Sequence, residues 1–110
     1  MSALNYRFLT GENISLTTSI VTLKSLISGT AFQQTTRRVL IANCTNPLAD
    51  PQVYIYASAH GSAPDAVTKM IPIAPGQIMP FEYAGTDLDN VYVAGGASCT
   101  PLVIQEGTYP

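Results

Sequence analysis

Runs in which apolar and polar residues alternate with a period of two recur along the chain, and they predict β-strands. The clearest run is QVYIYASA, residues 52–59, where Val53 and Ile55 share one strand face and Tyr54 and Tyr56 share the other. Further strands of this kind are predicted at 5–9, 14–18, 90–94 and 101–105.

A different pattern occurs in RRVLIANCTN, where Arg37 and Arg38 precede four consecutive apolar residues, 39–42. A run that is apolar on both strand faces is typical of a central strand covered on each side. We therefore expect Leu40 to be covered as completely as its neighbours, since a half-exposed strand favours a polar residue there.

Other segments predict turns and one helical interruption. Leu23, Leu26 and Ile27 lie at helical spacing, so at most one short helix is expected near 22–27. Pro72 cannot donate a ladder hydrogen bond, which places the strand at 70–73 at an edge or a bulge. The sequence 74–77, Ala-Pro-Gly-Gln, fits a type II turn. Loops are predicted at 44–51 and at the two glycines 95–96.

Together these elements predict an all-β fold with seven to eight short antiparallel strands. Short strands separated by turns are typical of a β-sandwich, a jelly roll or a small barrel. The 110 residues are enough for one hydrophobic core, so one β-sandwich or jelly-roll-like domain spanning 1–110 is expected.

The low charge content shifts the functional expectation towards assembly. Only 11% of residues are charged, against roughly 25% in ordinary soluble domains. A surface so poor in charge is expected to be buried against other proteins. The net charge of −2 and the absence of a basic tract argue against nucleic-acid binding.

The expected compartment follows from the absence of export and membrane signals. No stretch reaches the roughly 18 apolar residues of a membrane span, and the start of the chain lacks a secretion signal, so synthesis in the cytoplasm is expected. Cys44 and Cys99 are accordingly predicted to be reduced, buried and dispensable for folding.

No arrangement of reactive residues predicts an enzyme, a metal site or a cofactor site. His60 is the only histidine, and with Cys44 and Cys99 it supplies three of the four ligands of a zinc site at no familiar spacing. A Cys-His nucleophilic pair remains open, but the turn composition around His60 favours a solvated loop histidine. Asp87 and Asp89, with Asn90, resemble the start of a calcium loop whose later positions do not match. They are expected to form a hydrogen-bonded turn.

The tyrosines of two predicted strands are the strongest candidates for an interaction site. Tyr54 and Tyr56 share the face opposite the presumed core, and Tyr92 is placed in the same way on its own strand. Outward tyrosines form an amphipathic contact surface of the kind enriched at protein interfaces. The alternative is that they only stabilise the sheet through cross-strand contacts.

The order of segments resembles small virion proteins of tailed bacteriophages, over about residues 14–98. It is carried by ISLTTSIVTLKSLISG, QQTTRRVLIANCTNP, QVYIYAS, IPIAPGQIMPFEYAG and NVYVAGGAS. By size the chain is most similar to a head decoration, or cement, protein, which is a β-sandwich that clamps neighbouring subunits of an assembled capsid. The resemblance implies a non-enzymatic protein on the capsid exterior, with the major capsid protein as partner and a homo-oligomer, dimer or trimer, as its state. The 44–51 loop and the two cysteines are not part of this layout.

Two questions stay open at the level of sequence. Arg37 and Arg38 are interpreted as solvated residues that flank an aggregation-prone strand, or as interface residues of which at least one binds a carboxylate of a capsid neighbour. The alternative function is a tail, neck or fibre-associated module that binds a carbohydrate or receptor. The absence of tryptophan argues against sugar stacking.

Overall fold

The computed structural model describes residues 5–8, 14–27, 36–59, 64–82 and 91–108, with the side chains of this part except 5–8, 36–37, 59, 82 and 106–108. The described residues form nine strands and two short 3-10 helices, Leu23–Leu26 and Val67–Lys69. In chain order the strands are β1 (Asn5–Phe8), β2 (Ser15–Leu16), β3 (Val21–Thr22), β4 (Thr36–Asn43), β5 (Ile55–Ala59), β6 (Ile71–Ile73), β7 (Ile78–Glu82), β8 (Val91–Gly95) and β9 (Thr100–Thr108).

The strands form two antiparallel sheets between which the chain repeatedly crosses. One sheet has the order β1-β9-β4-β7, with β2 also paired to β9, and the other has the order β3-β8-β5-β6. Strand β1 pairs with the C-terminal part of β9 and β2 with its N-terminal end, so the two together fill one strand position. Each sheet is therefore four positions wide, and this eight-position, two-sheet arrangement is a jelly roll. The predicted all-β sandwich or jelly roll is confirmed.

The core lies between the inner faces of the two sheets. Strict alternation along each strand turns every second side chain inward. Val39 and Ile41 of β4 and Val93 of β8 are completely buried. The other large side chains of the core belong to the same inner faces or to the segment after β3: Leu16, Leu23, Ile27, Ile55, Ile73, Phe81, Val91, Leu102 and Ile104. Each side chain of this size contributes about 1.5–3 kcal/mol by leaving water.

Several local predictions are confirmed. The short helix is the 3-10 helix Leu23–Leu26, and the Thr22 side chain accepts a hydrogen bond from the backbone N–H of Ser25 at 3.3 Å. Gly76 has a φ of 79°, and Gln77 donates its backbone N–H to the Ala74 carbonyl at 3.0 Å, as a type II turn requires. Strand β6, with Pro72 at its centre, lies at the edge of its sheet.

The predicted strand 14–18 is shorter than expected because the chain changes sheets within it. The Ile14 carbonyl accepts a hydrogen bond from Leu102 of β9, whereas the Thr17 carbonyl accepts one from Gly95 of β8 in the other sheet. Only Ser15–Leu16 keeps strand pairing. The alternating pattern therefore continues across a corner of the sandwich.

Two predictions about burial are wrong. Leu40 lies on the outer face of its sheet and is half-buried, because the second sheet covers only the face that carries Val39 and Ile41. Cys44 and Cys99 are free thiols, but both are exposed and not buried, since they lie in the connections at one end of the sandwich.

Candidate protein-protein interface

The three candidate tyrosines belong to the outer face of the sheet with the order β3-β8-β5-β6. Because Ile55 of β5 is turned inward, Tyr56 is turned outward. Directly paired residues of antiparallel strands share a face. Ser58 pairs with Tyr92 of β8, so Tyr92 lies on the same face as Tyr56 and is its diagonal neighbour. We call this surface the tyrosine face. Strand pairing places six residues on it, Thr22, Tyr56, Ser58, Pro72, Tyr92 and the fully buried Ala94, and Tyr54 joins them because its ring stacks on that of Tyr56.

Tyr54 and Tyr56 form a stacked pair. Their ring centroids are 6.5 Å apart with an interplanar angle of 25°, and both residues are half-buried. Rings held against each other lose little conformational freedom when a partner binds. The two rings are therefore already ordered in the isolated chain.

Gly96 fixes the backbone of Tyr54 from the neighbouring strand connection. Its backbone N–H donates to the Tyr54 carbonyl at 2.7 Å. A Cβ atom on residue 96 would lie 2.9 Å from the same carbonyl oxygen, which is too close without a backbone shift. Glycine is therefore required at this position for the close approach, and it contributes to the placement of the tyrosine pair.

The tyrosine face carries aromatic rings and hydroxyl groups but no charged side chain among the residues that define it. Interface cores are depleted in charge and enriched in aromatic residues, since charges lose hydration on burial. No cluster of three or more His, Cys, Asp or Glu side chains that could hold a metal lies within the described part of the chain. A partner that covers the tyrosine face therefore buries aromatic rings and hydroxyl groups and desolvates no charged side chain of these residues.

The structure does not bring the arginines and the tyrosines together. Arg37 and Arg38 lie on β4 of the other sheet, where Arg38 is half-buried and pairs in register with Glu82 and Gly107. The register between β4 and β9 is irregular between Thr36 and Arg38. The Arg37 side chain lies outside the described residues, as do His60 and the segment 87–90, for which a hydrogen-bonded turn is predicted. The arginines are thus separate from the tyrosine face.

A second outward surface was missed at the level of sequence. On the five-stranded sheet, the register places half-buried Leu40 and Ala42 of β4 on one outer face with residues of β9 and β7. We call this the apolar face, and it consists of Leu40, Ala42, Ile78, Pro80, Pro101 and Val103, with the half-buried Gln105, the β9 partner of Leu40, as a polar member. The signal was the continuous apolar run of β4, which was interpreted as burial on both sides.

One end of the sandwich is held together by Asn43, which is 1% exposed. Its side-chain amide donates to the carbonyls of Val53 and Ile73, both at 3.0 Å, and its side-chain oxygen accepts from the Thr45 backbone at 3.1 Å. Ile73 belongs to the opposite sheet, so one side chain connects both sheets. The following loop presents Leu48, which is 93% exposed.

The comparisons with known proteins indicate a fold and no closer relationship. No protein-family model matches the chain, and no curated protein sequence matches it. Among solved structures, the coat protein of Tobacco streak virus matches with a TM-score of 0.51 and 11% sequence identity. The match covers 97% of this chain and 86% of the coat protein chain. No helix within the described residues is long and apolar enough to cross a membrane. The chain therefore shares its fold with a viral coat protein.

Proposed function

We propose that this chain is a non-enzymatic structural protein of a virion, and that it decorates and clamps the assembled capsid of a tailed bacteriophage. The observation that carries the proposal is the stacked pair of Tyr54 and Tyr56 on an uncharged sheet face. The pair offers two ordered aromatic rings, and no charge on the face must lose its hydration when a protein partner covers it.

Three further observations support a place on the capsid exterior. The fold is shared with a viral coat protein, the composition is poor in charge, and the order of segments resembles head decoration proteins. The partner in this proposal is the major capsid protein. Tyr54, Tyr56 and Tyr92 make the contact, while Arg37 and Arg38 lie on strand β4 of the other sheet, away from it.

Clamping follows from selective binding. A protein that binds the assembled shell but not its dissociated subunits stabilises the shell by mass action. The proposal therefore requires a contact surface on the chain that is already formed, and the tyrosine pair meets this requirement. The protein catalyses no reaction in this role, so the number of copies bound equals the number of occupied sites on the shell.

The proposal is tested by replacing Tyr54 and Tyr56 together with alanine. Aromatic anchors at an interface centre commonly contribute at least about 2 kcal/mol, so binding to undecorated heads should weaken more than about tenfold. The fold should persist, because both side chains lie outside the core. Binding is measured by co-sedimentation with undecorated heads, and folding is measured by thermal melts.

The matched control replaces both residues with phenylalanine, which keeps the rings and removes the hydroxyl groups. If ring area carries the contact, this variant should bind nearly as the unaltered chain does. Equal binding of the alanine variant would remove the tyrosines from the interface. If the unaltered chain does not bind undecorated heads but binds to a glycan array, the clamp function is wrong and the alternative function, a carbohydrate-binding tail module, is supported.

A further inference from the structure

The apolar face lies on the opposite side of the sandwich from the tyrosine face. Val39 and Ile41 of β4 are buried between the sheets, so Leu40 and Ala42 are turned outward. Their register partners on β9 and β7 extend the same face. Ile78, which pairs with Ala42, is 60% exposed. The result is an apolar surface that crosses three adjacent strands.

Charge is confined to one end of this face. Arg38 is the only charged residue among the outward positions of β4, β7 and β9 whose side chains the structure describes. It is half-buried and engaged within the chain. The centre of the face, around Leu40 and Val103, contains the polar but uncharged Gln105, which pairs with Leu40, and no ionic group that would select a partner of opposite charge.

Two sheet edges are poorly suited to strand addition, which leaves the faces for association. Edge strand β6 has Pro72 at its centre and edge strand β7 has Pro80 at its centre. Proline has no backbone N–H, so it interrupts the row of donors that an added strand would need. Association of copies through these two edges is disfavoured.

We propose that the apolar face binds the same face of a second copy of this chain. A two-fold axis relates the two copies. It lies between their facing β1-β9-β4-β7 sheets, parallel to the sheet planes and perpendicular to the strands, so β4 of one copy is antiparallel to β4 of the other. The same residues then contact each other in both directions, as a symmetric dimer requires. With the axis near Ile41, the two copies of Arg38 are about six residues, or roughly 20 Å, apart, which is beyond the screening length of about 8–10 Å.

The outer face of the whole sheet, of which the apolar face is the part on β4, β7 and β9, is large enough for a weak dimer. Strand β9 has nine residues and is about 30 Å long at about 3.3 Å per residue. Four strand positions at about 4.8 Å occupy about 19 Å, so the sheet outlines roughly 550 Å². Two copies bury about 1,100 Å² together, just above the roughly 1,000 Å² that a specific interface needs. Dimerisation is therefore expected in the micromolar range or weaker.

The dimer has a consequence for the proposed clamp, although its existence does not depend on shell binding. Sheets pack about 10 Å apart, so two sandwiches joined through their apolar faces carry their tyrosine faces about 30 Å apart. These faces point in opposite directions. Such a dimer contacts two neighbouring shell subunits at once, and the second contact gains from effective concentration.

The experiment is sedimentation velocity of the isolated chain over micromolar to millimolar concentration, without heads. The unaltered chain should shift from monomer to dimer. Ile78→Lys should abolish the shift, and because Ile78 is already exposed this variant should fold. Val103→Lys tests a second position of the face. Ser58→Lys, on the opposite face, is the matched control and should dimerise normally.

Concentration-dependent backbone chemical shifts locate the contact independently. They should move in β4, β7 and β9 and stay constant in β5 and β8. A monomer at every concentration overturns the proposal, as does a dimer that Ile78→Lys and Val103→Lys leave intact. If Ile78→Lys removes binding to heads while the unaltered chain is monomeric, the apolar face contacts the shell and the proposal is wrong. Loss of head binding by the tyrosine variants alone leaves the dimer unaffected.

Discussion

At the scale of single residues, Asn43 is the side chain on which the end of the sandwich most depends. Replacing it with alanine removes the side-chain partner of one buried carbonyl, one partly buried carbonyl and one buried backbone N–H, each at a cost of about 1–3 kcal/mol. We expect a loss of at least about 3 kcal/mol and a fall in melting temperature of at least about 10 °C. The measurement is a thermal melt by circular dichroism.

Asn46→Ala is the control, since Asn46 is exposed and its side chain accepts a local hydrogen bond from the backbone N–H of Leu48 at 3.0 Å. This change should cost less than about 1 kcal/mol. Similar losses for Asn43→Ala and Asn46→Ala would show that the buried network does not connect the sheets energetically.

Cys99 has a φ of 61°, in the left-handed region that costs an L-residue roughly 1–2 kcal/mol. Glycine removes this cost but gains freedom in the unfolded chain, so Cys99→Gly should stabilise the fold by up to about 1 kcal/mol. Cys44→Gly is the control and should destabilise it, because Cys44 has an ordinary backbone conformation. Urea denaturation under reducing conditions measures both. A loss of stability in Cys99→Gly would contradict the argument.

At the scale of elements, the prolines of the edge strands keep the sheets from extending. Pro72→Thr restores a backbone donor and a strand-favouring side chain at an exposed position of β6. We expect species larger than a dimer to appear with concentration in dynamic light scattering, while circular dichroism stays unchanged. Thr68→Ala, at an exposed position outside the strands, is the control. A Pro72→Thr variant with unaltered particle size would show that the edge is protected by other means.

At the scale of the whole molecule, clamping predicts a change in the shell and not only in the chain. At a free concentration of one hundred times Kd, selective binding stabilises each site by about 2.7 kcal/mol. Decorated heads should therefore disassemble at a higher temperature than bare heads in a calorimetric scan. The Tyr54→Ala and Tyr56→Ala double variant, if it binds tenfold more weakly, should stabilise each site by about 1.4 kcal/mol at the same concentration, and by less if the loss of affinity is larger. Binding without protection would indicate attachment and not clamping.

The sequence by itself determined the elements that depend on neighbouring residues. The alternation over 52–59 predicted which side chains of β5 face outward, and the Ala-Pro-Gly-Gln segment predicted the type II turn at Gly76. Pro72 predicted an edge strand because a missing N–H has the same effect in any sheet. Such features follow from local dihedral angles and hydrogen-bonding capacity, which a short segment contains in full.

Only the tertiary structure decided which surfaces face one another. Tyr92 reaches the face of Tyr56 because β8 pairs with β5 in one register, and a shift of one residue would reverse it. Leu40 is outward because the second sheet covers one face of β4 and no described element covers the other. The corner after Leu16 and the exposure of both cysteines likewise depend on distant strands. These outcomes are set by long-range pairing, whose partners are not contained in any local stretch of sequence.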